Sequence, residues 1–585
     1  MKTLYIACLL LLSCVIGEQL MAQGGNYTAG SGAGINLNPS AGKFNTFIGD
    51  SAGRTMSTGS SGTFVGKNAG FNLNNDTDNT LIGAFTCFAC TTGIDNVMVG
   101  VRAGYTNRGS DNTFVGAEAG RNNQTRGDNT FIGETSGYFN TTGFDNTFIG
   151  EDAGYNNTSG GDNTFVGSAS GRQNQTGFRN TAVGNEALFD IGSNGTAVHH
   201  NTAVGDSSGI DNGLGLYNTF VGAASGAANE HADQNTFIGA YAGYDNNRLN
   251  GTTTANRNTY VGSGAGYSNR SGQDNVGIGA FADFNSANRS RCTFIGSAQG
   301  VPATETPAQS FLGIRLAQGD DATAFGYGTQ STTRAISMGS LAASLGDDAV
   351  AIGYNASIDA NGDQGVAIGR DASVTAANAI AIGYQATNAT TNSIMLGNPA
   401  VNAIRGHVNF TATSDRRMKS DVQENIPGLA FIRQLRPVSY QMDMENVYLL
   451  RGDPIPEELK AALEAKKSIR YSGFIAQEVA QAADDTDYDF SGVEIPADST
   501  QLYGLRYAEF VVPLVKAVQE LNAKVDQQEH IILSQAQQLK SYQHQLTLLE
   551  TYQDQLNQYQ QTMAELTAKL NQLEERTSPS YTLSD

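Results

Sequence analysis

The pentapeptide Asn146-Thr147-Phe148-Ile149-Gly150 decides the fold of this chain, because it recurs through the first half of the sequence. The usual step between copies is 17 residues. With Ile or Val at its fourth position, it begins at Asn45, Asn112, Asn129, Asn146, Asn163, Asn218 and Asn235, and close variants lie at positions 62, 79, 96, 180, 201, 258, 275 and 292. A fixed period predicts one structural unit per repeat, with each unit stacked on its neighbours.

Each unit has the pattern of a short strand and then a bend. Thr147-Phe148-Ile149-Gly150 has the β-branched and aromatic residues of a strand that ends at a glycine. Asp152-Ala153-Gly154-Tyr155-Asn156 predicts a second short strand or a turn. Such strands are too short to be stable alone, so stacking must bury their apolar side chains in a narrow, continuous core. We expect the recurrent Asn side chains to form ladders that satisfy backbone groups of the turns, with ligand binding as the alternative.

From about residue 322 the repeat becomes shorter. Glycine has no three-residue period and apolar pairs recur regularly, which argues against collagen and against disorder. The short units are Ala324-Phe325-Gly326, Ile336-Ser337-Met338-Gly339, Val350-Ala351-Ile352-Gly353, Val366-Ala367-Ile368-Gly369 and Ile380-Ala381-Ile382-Gly383. They resemble the head repeats of trimeric autotransporter adhesins. That resemblance implies a left-handed β-roll in which three chains pack side by side, and the 17-residue units look like a longer-looped version of it.

Composition limits the classes of function. A chain of 585 residues is too long for one compact core, so several domains or a repeat architecture are expected. With 69 Gly, 39% hydrophobic residues and no Trp, most of the length is unlike an ordinary globular enzyme. A formal net charge of −21 without basic patches argues against nucleic acid as a partner. We expect no cofactor and no metal.

The N-terminus predicts export. Residues 1–22 have the features of a secretion signal, with Lys2, a largely apolar run over 5–16 and a small-residue cleavage site before Gln23. This run is too short to span a membrane, and nothing later in the chain predicts a membrane-spanning helix. The alternative is a lipoprotein signal, in which Leu11-Leu12-Ser13-Cys14 resembles a lipobox and Cys14 is acylated. Both signals predict an extracellular or cell-surface location.

Three cysteines lie beyond the predicted signal: Cys87, Cys90 and Cys292. The Cys-x-x-Cys of 87–90 is compatible with a local disulfide, half of a metal site or two packed thiols. No second pair and no nearby His accompany it, which argues against zinc. We expect structural cysteines.

The hexamer Ser414-Asp415-Arg416-Arg417-Met418-Lys419 stands where the repeats have ended and a charged segment begins. A serine hydroxyl needs a base to act as a nucleophile, and a lysine can be that base once burial or nearby positive charge lowers its pKa. The alternative is a capped turn with Ser414 or Asp415 as N-cap and solvated basic residues.

The hexamer fits the S-D-x-R-x-K signature of the C-terminal intramolecular chaperone domain of phage endosialidases and other tail-spike and fibre proteins. Three further segments resemble that family in the same order: Leu435-Arg436-Pro437-Val438-Ser439-Tyr440, Gly473-Phe474-Ile475-Ala476-Gln477-Glu478-Val479, and 507–521. The resemblance implies that Ser414 is the nucleophile, Lys419 its general base, and the bond between Thr413 and Ser414 the one that is cut. Arg417 takes the family's arginine position, where a structural or positioning role is expected, with Asp415 beside it. The segment from Arg451 to Arg470 is lengthened relative to the family.

The C-terminal segment predicts a coiled coil. Apolar residues alternate at three- and four-residue spacing from Leu514 to Leu573, with Gln528 and Gln535 in two core slots and two successive threes ending at Tyr552. Heptads alone leave dimer and trimer open, whereas the two family resemblances independently imply a homotrimer.

Together these features predict a mainly β protein: a trimeric left-handed parallel β-roll or solenoid, a small α+β chaperone domain and a trimeric coiled coil. The predicted boundaries are 1–22 signal peptide, 23–44 lead-in, 45–321 solenoid of 17-residue repeats, 322–400 adhesin-head-like repeats, 401–413 connector, 414–525 self-cleaving chaperone domain, 526–576 coiled coil and 577–585 tail.

The predicted function is that of a secreted or surface fibre, similar to an adhesin, whose C-terminal domain templates trimer assembly and then cleaves its own chain once. No external substrate is expected, and the fibre's ligand would be a host surface, a glycan or matrix. The alternative is a structural filament with a non-cleaving trimerisation domain. A glycan-degrading spike is disfavoured, since Glu118, Glu134 and Asp152 form no constellation in the sequence. The tripeptide at 451–453 matches an integrin motif, but so short a match carries little weight.

Overall fold

The computed structural model of the protein describes residues 21–23, 25–38, 40–192, 195–248, 254–282, 289–297, 319–451, 454–496 and 502–577. Most of the predicted signal peptide, with Cys8 and Cys14, lies outside the described residues, as do residues 452–453 of the integrin-like tripeptide and the tail from 578. The chain divides into two compact units, Met1–Asn398 and Pro399–Asp585.

The first unit is a β-solenoid. Three-residue strands pair in parallel with the equivalent strand of the next repeat, so that Thr147 lies beside Thr164 and Phe148 beside Phe165. Within the described residues the resulting sheet has 23 strands. They are Met21–Gln23, Asn26–Ala29, Thr46–Ile48, Thr63–Val65, Thr80–Ile82, Val97–Val99, Thr113–Val115, Thr130–Ile132, Thr147–Ile149, Thr164–Val166, Thr181–Val183, Thr202–Val204, Thr219–Val221, Thr236–Ile238, Thr259–Val261, Val276–Ile278, Thr293–Ile295, Thr323–Phe325, Ile336–Met338, Val350–Ile352, Val366–Ile368, Ile380–Ile382 and Ile394–Leu396.

The first of these strands is the exception to the parallel order. Met21–Gln23 runs antiparallel to Asn26–Ala29. The signal cleavage predicted after Ala22 would fall inside this strand. The signal peptide stays a prediction.

The two kinds of repeat differ in the segment after the strand. In the short repeats a second sheet of five strands forms, from Gln330–Ser331, Ala343–Ser344, Ser357–Ile358, Ser373–Val374 and Thr387–Asn388. In the 17-residue repeats the equivalent segment is a turn, as at Asp152 and Gly154, whose φ angles of 57° and 58° bend the chain out of an extended path. One further pair, Asp190–Ile191 with Asp211–Gly213, lies where a repeat is lengthened.

The middle residue of each main-sheet strand from Thr46–Ile48 to Ile380–Ile382 is buried. Phe114, Phe131, Phe148 and Phe165 are fully buried, and their rings stack at centroid distances of 5.0, 4.8 and 5.0 Å. Each buried ring contributes roughly 2 kcal/mol relative to its exposed state. In most of the short repeats alanine takes this position, as at Ala351, with Ser337 as an exception, and Ile358 and Val374 of the second sheet add larger side chains to the core. The predicted narrow, continuous core is confirmed for the 17-residue repeats, where one cluster of buried side chains extends from Phe47 to Ala324.

The asparagine ladder is also confirmed. Asn146 donates through both its backbone N–H and its side-chain Nδ2 to Oδ1 of Asn129, at 3.2 Å each, and Nδ2 also donates to the carbonyl oxygen of Gly160 at 2.8 Å. Asn163 repeats the pattern on Asn146. Each buried amide therefore satisfies a backbone group that stacking removes from water.

Glycine ends each strand because the next turn leaves no room for a side chain. Gly150 has a φ of 138°, and a Cβ placed there would lie 2.4 Å from the carbonyl oxygen of Gly167. Both the left-handed conformation and the close backbone approach require glycine.

The cysteines are buried in the solenoid. Cys87 and Cys90 form a disulfide, which settles the three alternatives left open for this pair. Cys292 is a free thiol, and burial raises its pKa to about 11. The part of the chain that the structure describes contains no group of three or more His, Cys, Asp or Glu side chains that could hold a metal ion.

The second unit is a small α+β region with a long helix after it. Its helices are α1 (Leu429–Ile432), α2 (Met444–Arg451), α3 (Glu457–Lys467), α4 (Ala476–Asp484) and α5 (Val511–Thr577). Its strands pair antiparallel as Val438–Gln441 with Arg470–Gly473 and Val493–Glu494 with Gly504–Leu505. Short 3-10 turns cover Arg416–Met418 and Tyr507–Phe510. The core comprises Phe431, Val479, Ala482, Ala483, Phe490 and Phe510.

Helix α5 is continuous through the predicted boundary between chaperone domain and coiled coil at 525–526, and through the irregularity at Tyr552. Its heptad side chains from Leu514 to Leu573 have between 43% and 72% of their surface exposed, Gln528 and Gln535 aside. Over the described residues, no helix is long and apolar enough to cross a membrane.

Candidate functional site

A capped turn builds the site. The turn covers Arg416–Met418, and Asp415 is its N-cap, because the Asp415 Oδ1 accepts a hydrogen bond from the Arg417 backbone N–H at 2.8 Å. Asp415 and Lys419 have extended backbone conformations on either side of the turn. The turn therefore changes the direction of the chain and brings the residues that flank it together.

The side chains of Asp415 and Arg417 lock this turn. Arg417 donates from Nε to Oδ1 of Asp415 at 3.1 Å and from Nη2 to Oδ2 at 2.7 Å. The hydrogen bonds from the guanidinium lower the pKa of the Asp415 carboxyl, so the pair stays charged at neutral pH. Exposed ion pairs add little stability, which leaves geometry as the main contribution of this one.

Ser414 and Lys419 meet across the turn. The Lys419 Nζ lies 2.7 Å from the Ser414 Oγ, in hydrogen-bond contact, and both side chains are exposed. The two interpretations of the hexamer are thus compatible, because Asp415 caps a turn and that turn creates the Ser–Lys contact. Thr413, on the other side of the predicted cleavage point, is exposed as well.

Apolar side chains near the site in the sequence also lie open to solvent. Phe410 is 94% exposed and Val408 is 85% exposed, upstream of Ser414, and Met418 and Val422 downstream of it are each 70% exposed. These four side chains are accessible for contact with a partner chain.

Side-chain contacts join the other sequence motifs. Arg436 donates from Nε to Oε2 of Glu478 at 3.1 Å and from Nη2 to Oε1, which lowers the pKa of the Glu478 carboxyl. The Tyr507 hydroxyl accepts a hydrogen bond from the Phe474 backbone N–H at 3.0 Å. A Cβ at Gly473 would lie 2.2 Å from that hydroxyl oxygen, so a larger residue there would displace the Tyr507 side chain.

The sequence did not predict the contacts that pack helix α1 against helix α5. Glu520 accepts a hydrogen bond from the Leu429 backbone N–H at 2.7 Å. A Cβ at Gly428 would lie 2.6 Å from the Ala517 backbone nitrogen, so the two backbones approach closely. The signal available in the sequence was a glycine directly before a short apolar helix, but Glu520 lies 91 positions beyond Leu429.

The geometry describes a solenoid protein with a small α+β unit that carries a Ser–Lys pair on a capped turn. Residues 414–488 match the family described as chaperone of endosialidase, and residues 333–356 and 360–386 match two copies of the YadA head domain repeat. Both resemblances found in the sequence are confirmed, each for its own segment. The collagen-binding domain of the Yersinia adhesin YadA is a structural match with 20% identity and a TM-score of 0.18, over 34% of this chain and 77% of that one. No curated protein is significantly similar to the chain.

Proposed function

We propose that the protein is an exported homotrimeric fibre whose C-terminal unit templates trimer assembly and then cleaves the chain between Thr413 and Ser414. The observation that carries the proposal is the 2.7 Å contact between Ser414 Oγ and Lys419 Nζ, within a segment that matches the endosialidase chaperone family. The chain acts once on itself and has no external substrate.

The chemistry is acyl transfer and then hydrolysis. Lys419, as the neutral amine, takes the proton from Ser414 Oγ, and that oxygen attacks the carbonyl carbon of Thr413. The C–N bond breaks, the Ser414 nitrogen leaves as an amine after protonation, and an ester joins the Thr413 acyl group to Ser414 Oγ. Water then hydrolyses the ester, which leaves a carboxylate on Thr413 and restores the serine hydroxyl.

Trimer assembly would supply the desolvation of Lys419 that this reaction requires. An exposed lysine is solvated as the ammonium, and desolvation favours the neutral amine that can act as a base. Val408 and Phe410 are exposed a few residues before the site in a single chain, and partner chains that cover them would also exclude water from Ser414 and Lys419. Cleavage would therefore occur only after folding is complete.

Two apolar surfaces support the association of several chains. One is the heptad seam of α5. The other is the third position of the solenoid strands, which points away from the core and forms a column along the sheet. Its exposed members are Ile48, Ile82, Ile132, Val183, Val204, Ile238, Ile278, Phe325, Met338, Ile368, Ile382 and Leu396. Since successive repeats look alike, three chains could pair out of register, and a C-terminal template would fix the register.

Residues 23–413 would form the mature fibre, located outside the cell or on its surface. We propose that it attaches to a host surface, a glycan or matrix, and the adhesin-head repeats support this use. The second candidate, a structural filament without a receptor, predicts no saturable binding of purified 23–413 to cells, glycans or matrix. Lipid attachment through Cys14 is the alternative to free secretion.

Self-cleavage is tested by expressing residues 23–585 with and without Ser414→Ala and measuring fragment masses under denaturing conditions. We expect two fragments from the parent, divided between Thr413 and Ser414, and an intact Ser414→Ala chain. An intact parent that is trimeric would reduce the domain to a non-cleaving trimerisation module.

A further inference from the structure

Lys466 forms hydrogen bonds to the chain segment that precedes the site. Its Nζ donates to the carbonyl oxygens of Pro399 and Val401, each at 2.7 Å. The side chain is half-buried, and burial lowers its pKa. The neighbouring lysines of α3 behave differently, because Lys460 pairs with Glu457 and Lys467 with Glu464 on the surface.

The buried face of helix α3 positions the Lys466 ammonium group. Leu459 and Leu463 are buried on one face of the helix, and Lys466 lies at i+7 from Leu459 on that same face. The apolar residues fix the helix, and the lysine extends the buried face toward the connector. Hydrogen bonds from a cation to carbonyl groups are stronger than those between neutral partners.

We propose that Lys466 is a latch that keeps the C-terminal fragment, from Ser414 onward, bound to the fibre after the chain has been cut. The proposal rests on the cleavage between Thr413 and Ser414 proposed above. Pro399 and Val401 lie before that bond and Lys466 lies after it, so the two hydrogen bonds bridge the two fragments.

Cleavage leaves the latch in place. Val401 lies 12 residues before Thr413, and the new chain end is separated from the latch by the connector. In a homotrimer three latches act together, and linked contacts hold far more tightly than one alone. The cleaved unit would then stay as a terminal cap of the fibre.

The test separates the latch from the self-cleavage chemistry. In the full chain with Ser414→Ala, the recognition site of an added protease is inserted between Phe410 and Thr411, both exposed. After digestion, denaturing electrophoresis shows the cut, and size-exclusion chromatography in native buffer shows whether the fragments stay together. Failure of self-cleavage in the chain with Ser414 leaves this experiment unaffected.

We expect the fragments of the parent and of the control Lys460→Met to elute together, and those of Lys466→Met to dissociate at least tenfold faster. Lys466→Gln, which keeps a polar side chain, should also release the fragments and serves if Lys466→Met does not fold by circular dichroism. Separation of the parent fragments, or equal retention in the folded Lys466 variants, would overturn the proposal.

Discussion

At the scale of single residues, the short span from Ser414 to Lys419 supplies its own geometry. Asp415 caps the turn, Arg417 locks the cap, and the two flanking side chains meet as a result. The five-residue spacing between Ser414 and Lys419 thus has a physical reason, since the turn between these residues brings their side chains into contact.

Replacing Asp415 with Ala should slow self-cleavage by about tenfold or more. The change removes the cap and the partner of Arg417, and a loss of about 1.4 kcal/mol in holding the reactive geometry corresponds to a factor of ten. Single-turnover cleavage rates from denaturing gels provide the measurement. Arg416→Ala in the same turn is the control, and equal rates for Asp415→Ala and the parent would contradict the positioning role.

Asp76 contributes less to the stability of the solenoid at neutral pH than in mild acid. Its carboxylate is buried, Oδ1 accepts from the Gly93 N–H at 3.1 Å, and Oδ2 has no hydrogen-bond partner among the described residues. Burial raises the pKa of this group from 3.8 to about 6. Because the folded state binds the proton more tightly than the unfolded state, the contribution of Asp76 to stability is highest below pH 4 and falls as the pH rises through 6.

Asp76→Asn should therefore raise the free energy of unfolding at pH 7.5 by about 2 kcal/mol and change it little at pH 4. Thermal unfolding monitored by circular dichroism at the two pH values measures the difference. Asp78→Asn removes the same charge from an exposed position two residues on. If both variants shift stability equally, burial of Asp76 is not the cause.

At the scale of elements, the strands depend on stacking for their core, and α5 leaves an apolar seam uncovered. A three-residue strand gains its core only from the repeats above and below it. Helix α5 exposes its apolar seam over its whole length in the single chain, and its continuity through Tyr552 shows that the irregular spacing does not break the helix.

Replacing Leu514, Leu521 and Leu549 with Gln should give a monomer that does not cleave itself. The seam loses three apolar core layers, so under the proposed mechanism no partner chains would desolvate Lys419. Sedimentation gives the oligomeric state, and denaturing gels give the extent of cleavage. The control is the double variant Leu533→Gln and Leu548→Gln, at outer heptad positions of α5. It should leave the oligomeric state and the extent of cleavage unchanged. Cleavage by the monomer would disprove the requirement for assembly.

At the scale of the whole molecule, the two units differ in how their sequences are organised. The solenoid gains length by repetition, and repetition carries little information about register. The second unit has its own core around Phe431, and its helix α5 carries an exposed apolar seam. Under the proposed function, a template in the second unit would align three similar repeat arrays.

The sequence by itself determined the repeat, its strand, the asparagine ladder, the heptad helix and the Ser–Lys pair, because each depends on spacing within a few dozen residues. Only the tertiary structure decided that the 17-residue units turn where the short units form a second strand, and that Cys87 bonds to Cys90. It also decided that Glu520 holds α1 and that Lys466 holds the connector. These last two contacts join residues 91 and 67 positions apart, and no local pattern encodes which distant groups folding brings within hydrogen-bond distance.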